Sequence, residues 1–273
     1  MTLDEIAPAL ARLPAVDLAS LDAIARLQIR RDRKYLVSPA EVVRLVDLVP
    51  PPTRVLAIDE LRVFRYESLY FDTEDLASYL AATRGRPERW KVRLRWYLDA
   101  NRCVLEIKRR NRRGFTVKSR ADHSPYPGDQ LDRKERDFVG ACPAIREQAW
   151  RLRPVLRTAY RRATLLLPEG DRVTVDVNLC STATNSDCVC LVGMAVVETK
   201  SWRRASTADH LLRSLGHRPV RMSKYATSLA ALRTELPSNR WTRALRAPWT
   251  RSVPPATMVP VECPWPDRDT PGS

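Results

Sequence analysis

Between residues 30 and 236 apolar and polar side chains alternate with a period of two in one stretch after another, the pattern of half-buried strands. Strands are predicted over 30–37, 66–72, 90–98, 102–110, 114–120, 155–167, 171–179 and 189–200. Helices fit between them. Ser38-Pro39 reads as an N-cap followed by proline at the first helical position and opens a helix over 39–49. Thr73 and Asp75 start a short helix over 74–82, and others are expected near 131–152, 206–215 and 222–232. The stretch 121–153 reads as an insertion of loop and helix. Residues 1–29, with Leu18, Leu21, Ile24 and Ala25 at helical spacing, read as a helical extension. The last 37 residues hold eight of the 21 prolines and read as a disordered tail. Three parts are thus expected: an extension over 1–29, a strand-rich domain over 30–236, and a tail over 237–273.

The polar faces of these strands are chemically selected. Lys91, Arg93 and Arg95 share one face while Val92, Leu94 and Trp96 share the other. Glu106 and Lys108, Thr116 with Lys118 and Arg120, Arg172 with Thr174 and Asp176, and Glu198 with Lys200 repeat the theme. Each face alone reads as solvated. Repeated on strand after strand, like charges repel one another, which costs stability unless an anion binds there. Three of these strands also carry one acid among the bases. A polyanion alone does not call for acids, whereas a polyphosphate with a divalent metal does. A closed antiparallel barrel of eight strands meets these demands, charged inside and apolar outside under flanking helices. The expected fold class is therefore α+β.

Composition places the charge. The formal net charge is +15, from 47 Lys+Arg against 32 Asp+Glu, and residues 30–236 carry all of it, because residues 1–29 sum to −2 and 237–273 to +2. Hydrophobic residues make up 44%, enough for a packed core. The longest apolar run, Cys188 to Val197, is ten residues, about half a membrane span. The start, MTLDEIAPAL, is acidic where a signal peptide is basic. Cys103, Cys142, Cys180, Cys188, Cys190 and Cys263 include no C-x-x-C, and His123, His210 and His217 lie at no zinc spacing. Reduced structural thiols and a cytoplasmic location are expected. The run Arg109-Arg110-Asn111-Arg112-Arg113 is a surface patch suited to a polyanion. With no helix-turn-helix, no RNA-recognition motif and no aromatics interleaved with the bases, dedicated nucleic-acid binding is not expected.

Asp32-Arg33-Lys34-Tyr35, Ser68-Leu69-Tyr70-Phe71-Asp72-Thr73, Lys91-x-Arg93-x-Arg95, Glu106-x-Lys108, Tyr160-x-Arg162, Arg172-x-Thr174-x-Asp176, Glu198-x-Lys200 and Ser223-Lys224-Tyr225 follow the order and spacing of a known family. Together they resemble the VTC (vacuolar transporter chaperone) polyphosphate polymerase domain, a branch of the CYTH-like triphosphate tunnel metalloenzymes. The resemblance covers about residues 30–232. It implies a tunnel in which the γ-phosphate of ATP is added to a growing inorganic polyphosphate chain. It also implies a substrate set of Lys34, Arg93, Arg95, Lys108, Lys118, Tyr160, Arg162, Arg172, Lys200, Ser223 and Lys224, with Arg93, Arg95 and Lys224 at the reacting phosphate. Glu198 is the implied ligand of Mn²⁺ or Mg²⁺, with Glu106, Asp176 and Asp32 as further acids. Asp32 stands where the family carries Glu, one methylene longer. The family's eukaryotic members add membrane helices and a phosphate-sensing domain that this chain lacks, so coupling to translocation would need a membrane partner. The alternatives are an inorganic or nucleoside triphosphatase of the same superfamily and a non-catalytic polyphosphate-binding module.

Overall fold

The computed structural model describes residues 2–24, 31–112, 115–123, 130–184, 187–202 and 204–252. In chain order the elements begin with α1 (Thr2–Ala11), β1 (Ala15–Val16), α2 (Leu18–Ile24), β2 (Arg31–Val37), α3 (Pro39–Leu48) and β3 (Arg54–Leu56). Next come β4 (Phe64–Asp72), α4 (Ala77–Thr83), β5 (Arg89–Tyr97), β6 (Arg102–Arg110), β7 (Thr116–His123) and α5 (Arg133–Gly140). Then follow β8 (Arg153–Leu166), β9 (Arg172–Ala183), β10 (Cys188–Leu191), β11 (Ala195–Ser201), α6 (Thr207–Ser214), α7 (Lys224–Leu232), α8 (Thr242–Leu245) and β12 (Trp249–Ser252). As the dipeptide predicts, Ser38 caps α3, in a capping box with Glu41, and Pro39 is its first residue.

Eight long strands run antiparallel in the order β2-β11-β9-β8-β4-β5-β6-β7. The closed barrel expected above is corrected here: among the described residues no ladder joins β2 to β7. The outer edge of β2 is met instead by the segment before α7, where Val220 N donates to Lys34 O at 2.7 Å. The sheet nevertheless curls far enough for Lys108 of β6 to reach Asp32 of β2 at 3.7 Å.

The apolar face points outward and is roofed by helices. Ile6 and Leu10 of α1, Val42 and Leu45 of α3 and Leu212 of α6 cover Tyr35, Val175 and Val197. Val139 of α5 and the 3-10 turn over 146–151 cover Val92, Leu94, Leu105 and Ile107. Unlike these, Tyr225 and Leu229 of α7 pack with Tyr79 and with Tyr70, which is on the inward side of β4. Full burial of each large apolar side chain contributes about 1.5–3 kcal/mol, so this shell, and not the charged centre, holds the fold.

One carboxylate ties β4, α4 and α7 together. Asp72 is fully buried and accepts from the amides of Thr73 (2.8 Å), Ser78 (2.9 Å) and Tyr79 (2.9 Å) and from the Tyr225 hydroxyl (2.6 Å). It caps the first turn of α4 from outside the helix. Asp72→Ala strands these donors, and a loss of roughly 3 kcal/mol is expected. A urea midpoint equal to that of the unaltered protein would contradict this role.

Three other expectations change. The strand predicted over 189–200 is two, β10 and β11, split at Gly193, whose φ of +64° makes a turn where the surrounding residues are apolar. The tail expected from 237 is folded as far as 252: Trp241 and Ala244 are buried, and β12 pairs with β10. Residues 25–30 and 253–273, the remainder of the extension and tail, lie outside the described residues. Finally, Cys180 and Cys190, opposite each other on β9 and β10, form a disulfide. Among the described residues the reduced-thiol expectation holds for Cys103, Cys142 and Cys188, and the thiols no longer argue for a reducing compartment. No helix among the described residues is long and apolar enough to cross a membrane.

Candidate active site

Strand parity turns the charged faces inward, and cross-strand register assembles them in rows. Tyr70, Arg93, Glu106 and Arg120 stand side by side on β4 to β7, and Lys91, Lys108 and Lys118 form the next row. Glu106 is 1% exposed. It accepts from Arg93 Nε at 2.8 Å and lies 3.8 Å from Arg95 and 3.2 Å from Arg120, with Lys118 in direct contact. Burial alone would raise its pKa, but these bases hold the carboxyl far below the usual range. Arg93 also donates to the Tyr70 hydroxyl (3.1 Å), and Arg95 to Ser68 (3.4 Å) and the Tyr160 hydroxyl (3.1 Å).

A second group centres on Asp176 of β9, which is fully buried. Arg162 grips it in a fork at 2.5 and 2.8 Å, and Lys224, the first residue of α7, contacts it as well. Burial opposes the charge, yet the two bases depress the Asp176 pKa far below normal. Lys224 sits 4.4 Å from the centroid of the Tyr160 ring, in cation–π range. A third group lies on β2 and β11. Lys34 donates to Glu198 at 3.0 Å, and Lys200 is 3.9 Å from the other carboxylate oxygen. Burial works against Glu198 too, but Lys200 and Lys34 pull its pKa well below the ordinary value.

The remaining implied residues divide. Ser223 caps α7 and accepts from Lys91 Nζ at 2.7 Å. Arg172 sits at the rim, reaching Asp22 of α2 at 3.3 Å. Among the described residues the four interior acids do not gather at one point, although Asp32 and Glu198 share the influence of Lys34 and Lys108. Among the described residues, the donor atoms that do gather within 4.8 Å belong to His123, Asp132 and Glu135. Asp132 and Glu135 are already engaged as the capping box of α5. Of the arginine run, Asn111 closes a hairpin turn by accepting from Phe115 N at 2.9 Å, and Arg113 lies outside the described residues.

Among the described residues Lys91 has no carboxylate within bonding reach, and burial, with Lys108 and Lys34 beside it, drives its pKa well below normal. The ammonium end of Lys118 turns in against Glu106. Loss of water there brings its pKa down to about 7, against the pull of Glu106. Both lysines should therefore regain protons when an anion binds near them. Calorimetric titration with tripolyphosphate at pH 8, in buffers of different ionisation enthalpy, is expected to show uptake of about one proton or more. Lys118→Met should reduce it by about one, and zero uptake would refute the assignment.

The inward face is not polar throughout. Leu36, Val196, Tyr66 and Tyr160 share the parity of Lys34, Glu198 and Arg162, and they pack with Leu179, Met222 and Ala244. This apolar cluster stoppers the interior on the side of α7 and α8.

The sequence pattern of the VTC domain matches residues 29–233. The chain belongs to the VTC domain family. Among solved structures, it is similar to a putative adenylyl cyclase from Hippeastrum described as having a dominant triphosphatase activity, at 17% identity over 74% of this chain and 96% of that one, with a TM-score of 0.49. It is also similar to the PH1819 protein from Pyrococcus horikoshii, at 14% identity over 73% and 98% with a TM-score of 0.41. A third is an inorganic triphosphatase, at 14% identity over 65% and 77% with a TM-score of 0.27. In this VTC domain, Tyr66, Ser68, Tyr70, Lys91 and Arg120 join the interior although the implied set omits them. The signal for Lys91 and Arg120 was period two, which they share with Arg93 and Lys118. Nothing in the sequence marks the tyrosines as inward-facing.

Proposed function

We propose that this VTC domain is a phosphotransferase that moves the γ-phosphate of ATP onto the end of an inorganic polyphosphate chain inside the curled sheet. The observation that carries the reading is the state of the interior acids. Glu106, Asp176 and Glu198 are each held by two or more bases and strongly acidic, so none is suited to take a proton from water. A terminal phosphate oxygen is already ionised and needs no base. It attacks the γ-phosphorus, the bond to the bridging β–γ oxygen breaks, and ADP leaves with that oxygen.

The chain's contribution is position and charge. A nucleoside triphosphate brings roughly four negative charges, which the lysines and arginines offset at reduced dielectric. The guanidinium forks of Arg93 and Arg95 suit the equatorial phosphate oxygens, and Lys224, steadied over Tyr160, supplies a compact charge. Lys34, Lys108, Lys118, Arg162, Arg172 and Lys200 line the path, while Tyr160 and Ser223 donate hydrogen bonds. Glu198 fits the role of acid for Mn²⁺ or Mg²⁺: its side chain is 12% exposed and its two oxygens face different lysines. One carboxylate suffices only if phosphate oxygens complete the shell, and Lys34 must then release it. When bound, such an ion neutralises phosphate charge and polarises the bond to be broken. Glu106, Asp176 and Asp32 serve as counter-charges in this reading.

Hydrolysis of a triphosphate is the second reading, favoured by the apolar stopper. A closed end suits a short substrate that enters and leaves by one mouth. Incubation with ATP and Mn²⁺, with polyphosphate resolved on a gel and orthophosphate assayed in the same tube, separates the two. A polyphosphate ladder that disappears in Glu198→Ala is expected. Orthophosphate without a ladder would establish the hydrolase, and metal-independent binding without either product a non-catalytic module. Delivery of product across a membrane would fall to a partner protein.

A further inference from the structure

The outer face of β2 carries a second basic site. Lys34 and Asp32 face the interior, so Arg31 and Arg33 face the opposite way. There, with Arg204, Ala205, His210 and Arg213, they line a pocket of about 620 Å³, within the range of small-molecule sites. No acid lines it. Arg31, Arg204 and Arg213 are exposed and make no ion pair among the described residues.

The pocket is built on a buried frame. Asp209 of α6 has 0% exposure and lies beneath it. Asp209 accepts from the Tyr35 hydroxyl at 2.7 Å, Thr199 Oγ1 at 2.8 Å, Ser206 N at 2.8 Å and Arg33 Nη1 at 3.0 Å. The other nitrogen of Arg33 donates to the carbonyl of Arg204, pinning the loop that carries that arginine. Asp209 thus holds Arg33 and, through it, the loop that carries Arg204, while its own charge stays buried beneath the pocket. Gathering four like-charged side chains around one pocket costs stability unless an anion binds there. Their arrangement is that of a receptor for several phosphate groups.

We infer that this pocket is a second binding site for an oligophosphate, separate from the interior and back to back with it across β2. Asp32, Lys200 and Arg172 stand opposite one another at the same end of β2, β11 and β9, so basic groups continue from the interior over the rim to Arg31. At a rise of about 3.3 Å per residue, Arg31 and Lys34 lie within about 10 Å along the strand. A polyphosphate chain leaving the interior at this rim would reach the pocket, a source that rests on the proposed function. A separate small oligophosphate would satisfy the same guanidinium groups.

The test is titration of the whole chain with tripolyphosphate, comparing Arg31→Ser/Arg204→Ser/Arg213→Ser with a charge-matched Arg44→Ser/Arg84→Ser/Arg133→Ser control. Arg33 and Asp209 stay in place, which keeps the frame. Two sites are expected in the unaltered protein and the control, and one in the pocket variant. Equal numbers of sites in all three proteins, or an equal loss in the control, would overturn the inference. If the interior did not bind phosphate, the unaltered protein would show one site that the pocket variant loses, so failure of the functional reading is recognisable. Long-chain polyphosphate identifies the source. A fall in its affinity of about 10²-fold in the pocket variant means that one chain bridges both sites, whereas unchanged affinity means that the pocket takes a small oligophosphate of its own.

Discussion

Arg93→Ala and Arg95→Ala are each expected to slow phosphate transfer by about 10²–10³-fold, the usual cost of removing one donor aimed at developing charge, without unfolding the protein. Each guanidinium is already oriented. Arg93 is held by Glu106 and Tyr70, and Arg95 by Ser68, Tyr160 and, at 3.8 Å, Glu106. Neither deletion strands the acid, because Glu106 keeps three of its four bases either way. The apolar shell outside the sheet is untouched. Lysine at either position restores the charge but not the fork, so recovery should be partial. Single-turnover ATP consumption beside a thermal melt decides the matter. A folded variant with undiminished turnover would remove the interior as the place of reaction.

Glu106→Ala should do the opposite, damaging the fold first. Removing the carboxylate leaves Arg93, Arg95, Lys118 and Arg120 facing one another around a buried point. Breaking a buried ion group from one side costs about 3–5 kcal/mol. The same group dictates the response to acid. The folded-state pKa of Glu106 lies below its ordinary 4.5, so its stabilisation is complete above about pH 4.5 and drains away as the pH falls further. Asp176, with Arg162 and Lys224, behaves alike. Urea midpoints at neutral and acid pH should therefore converge for Glu106→Ala and the unaltered protein as the pH drops. Excess tripolyphosphate should restore part of the loss at neutral pH, since it returns negative charge to the folded state alone. A midpoint at pH 7 equal to that of the unaltered protein would refute the role given to Glu106.

Much of this was legible because alternation is a local signal. Lys91, Arg93 and Arg95 show which way β5 faces before any partner strand is known, and Ser38-Pro39 marks the start of α3 unaided. What depends on distant pairing was not. Closure of the sheet turned on the edge of β2, where Val220 sits instead of β7. The disulfide needed the register of β9 against β10, which the separation of Cys180 and Cys190 does not reveal. The segment over 239–252 was hidden by the composition around it, since prolines masked Trp241, Ala244 and Trp249 as anchors. In the site, the bases were visible by charge and Tyr160 through the family motif, whereas Tyr66 looks like a core residue until its strand is placed. Asp72, inside a motif of the family, proved to be a clamp between helices and not a part of the chemistry.

The interior brings together Lys34, Lys91, Arg93, Arg95, Lys108, Lys118, Arg120, Arg162, Arg172, Lys200 and Lys224 against Asp32, Glu106, Asp176 and Glu198. A surplus of that size does not stay bare in solution. The resting protein carries a cloud of small counter-anions, and any substrate must evict them. Affinity should then depend steeply on which anions share the buffer, sulfate and orthophosphate competing harder than chloride. An assay in phosphate buffer would measure the exchange of one phosphate for another, and in a cell the abundance of orthophosphate would weaken the binding of any longer phosphate chain to this interior.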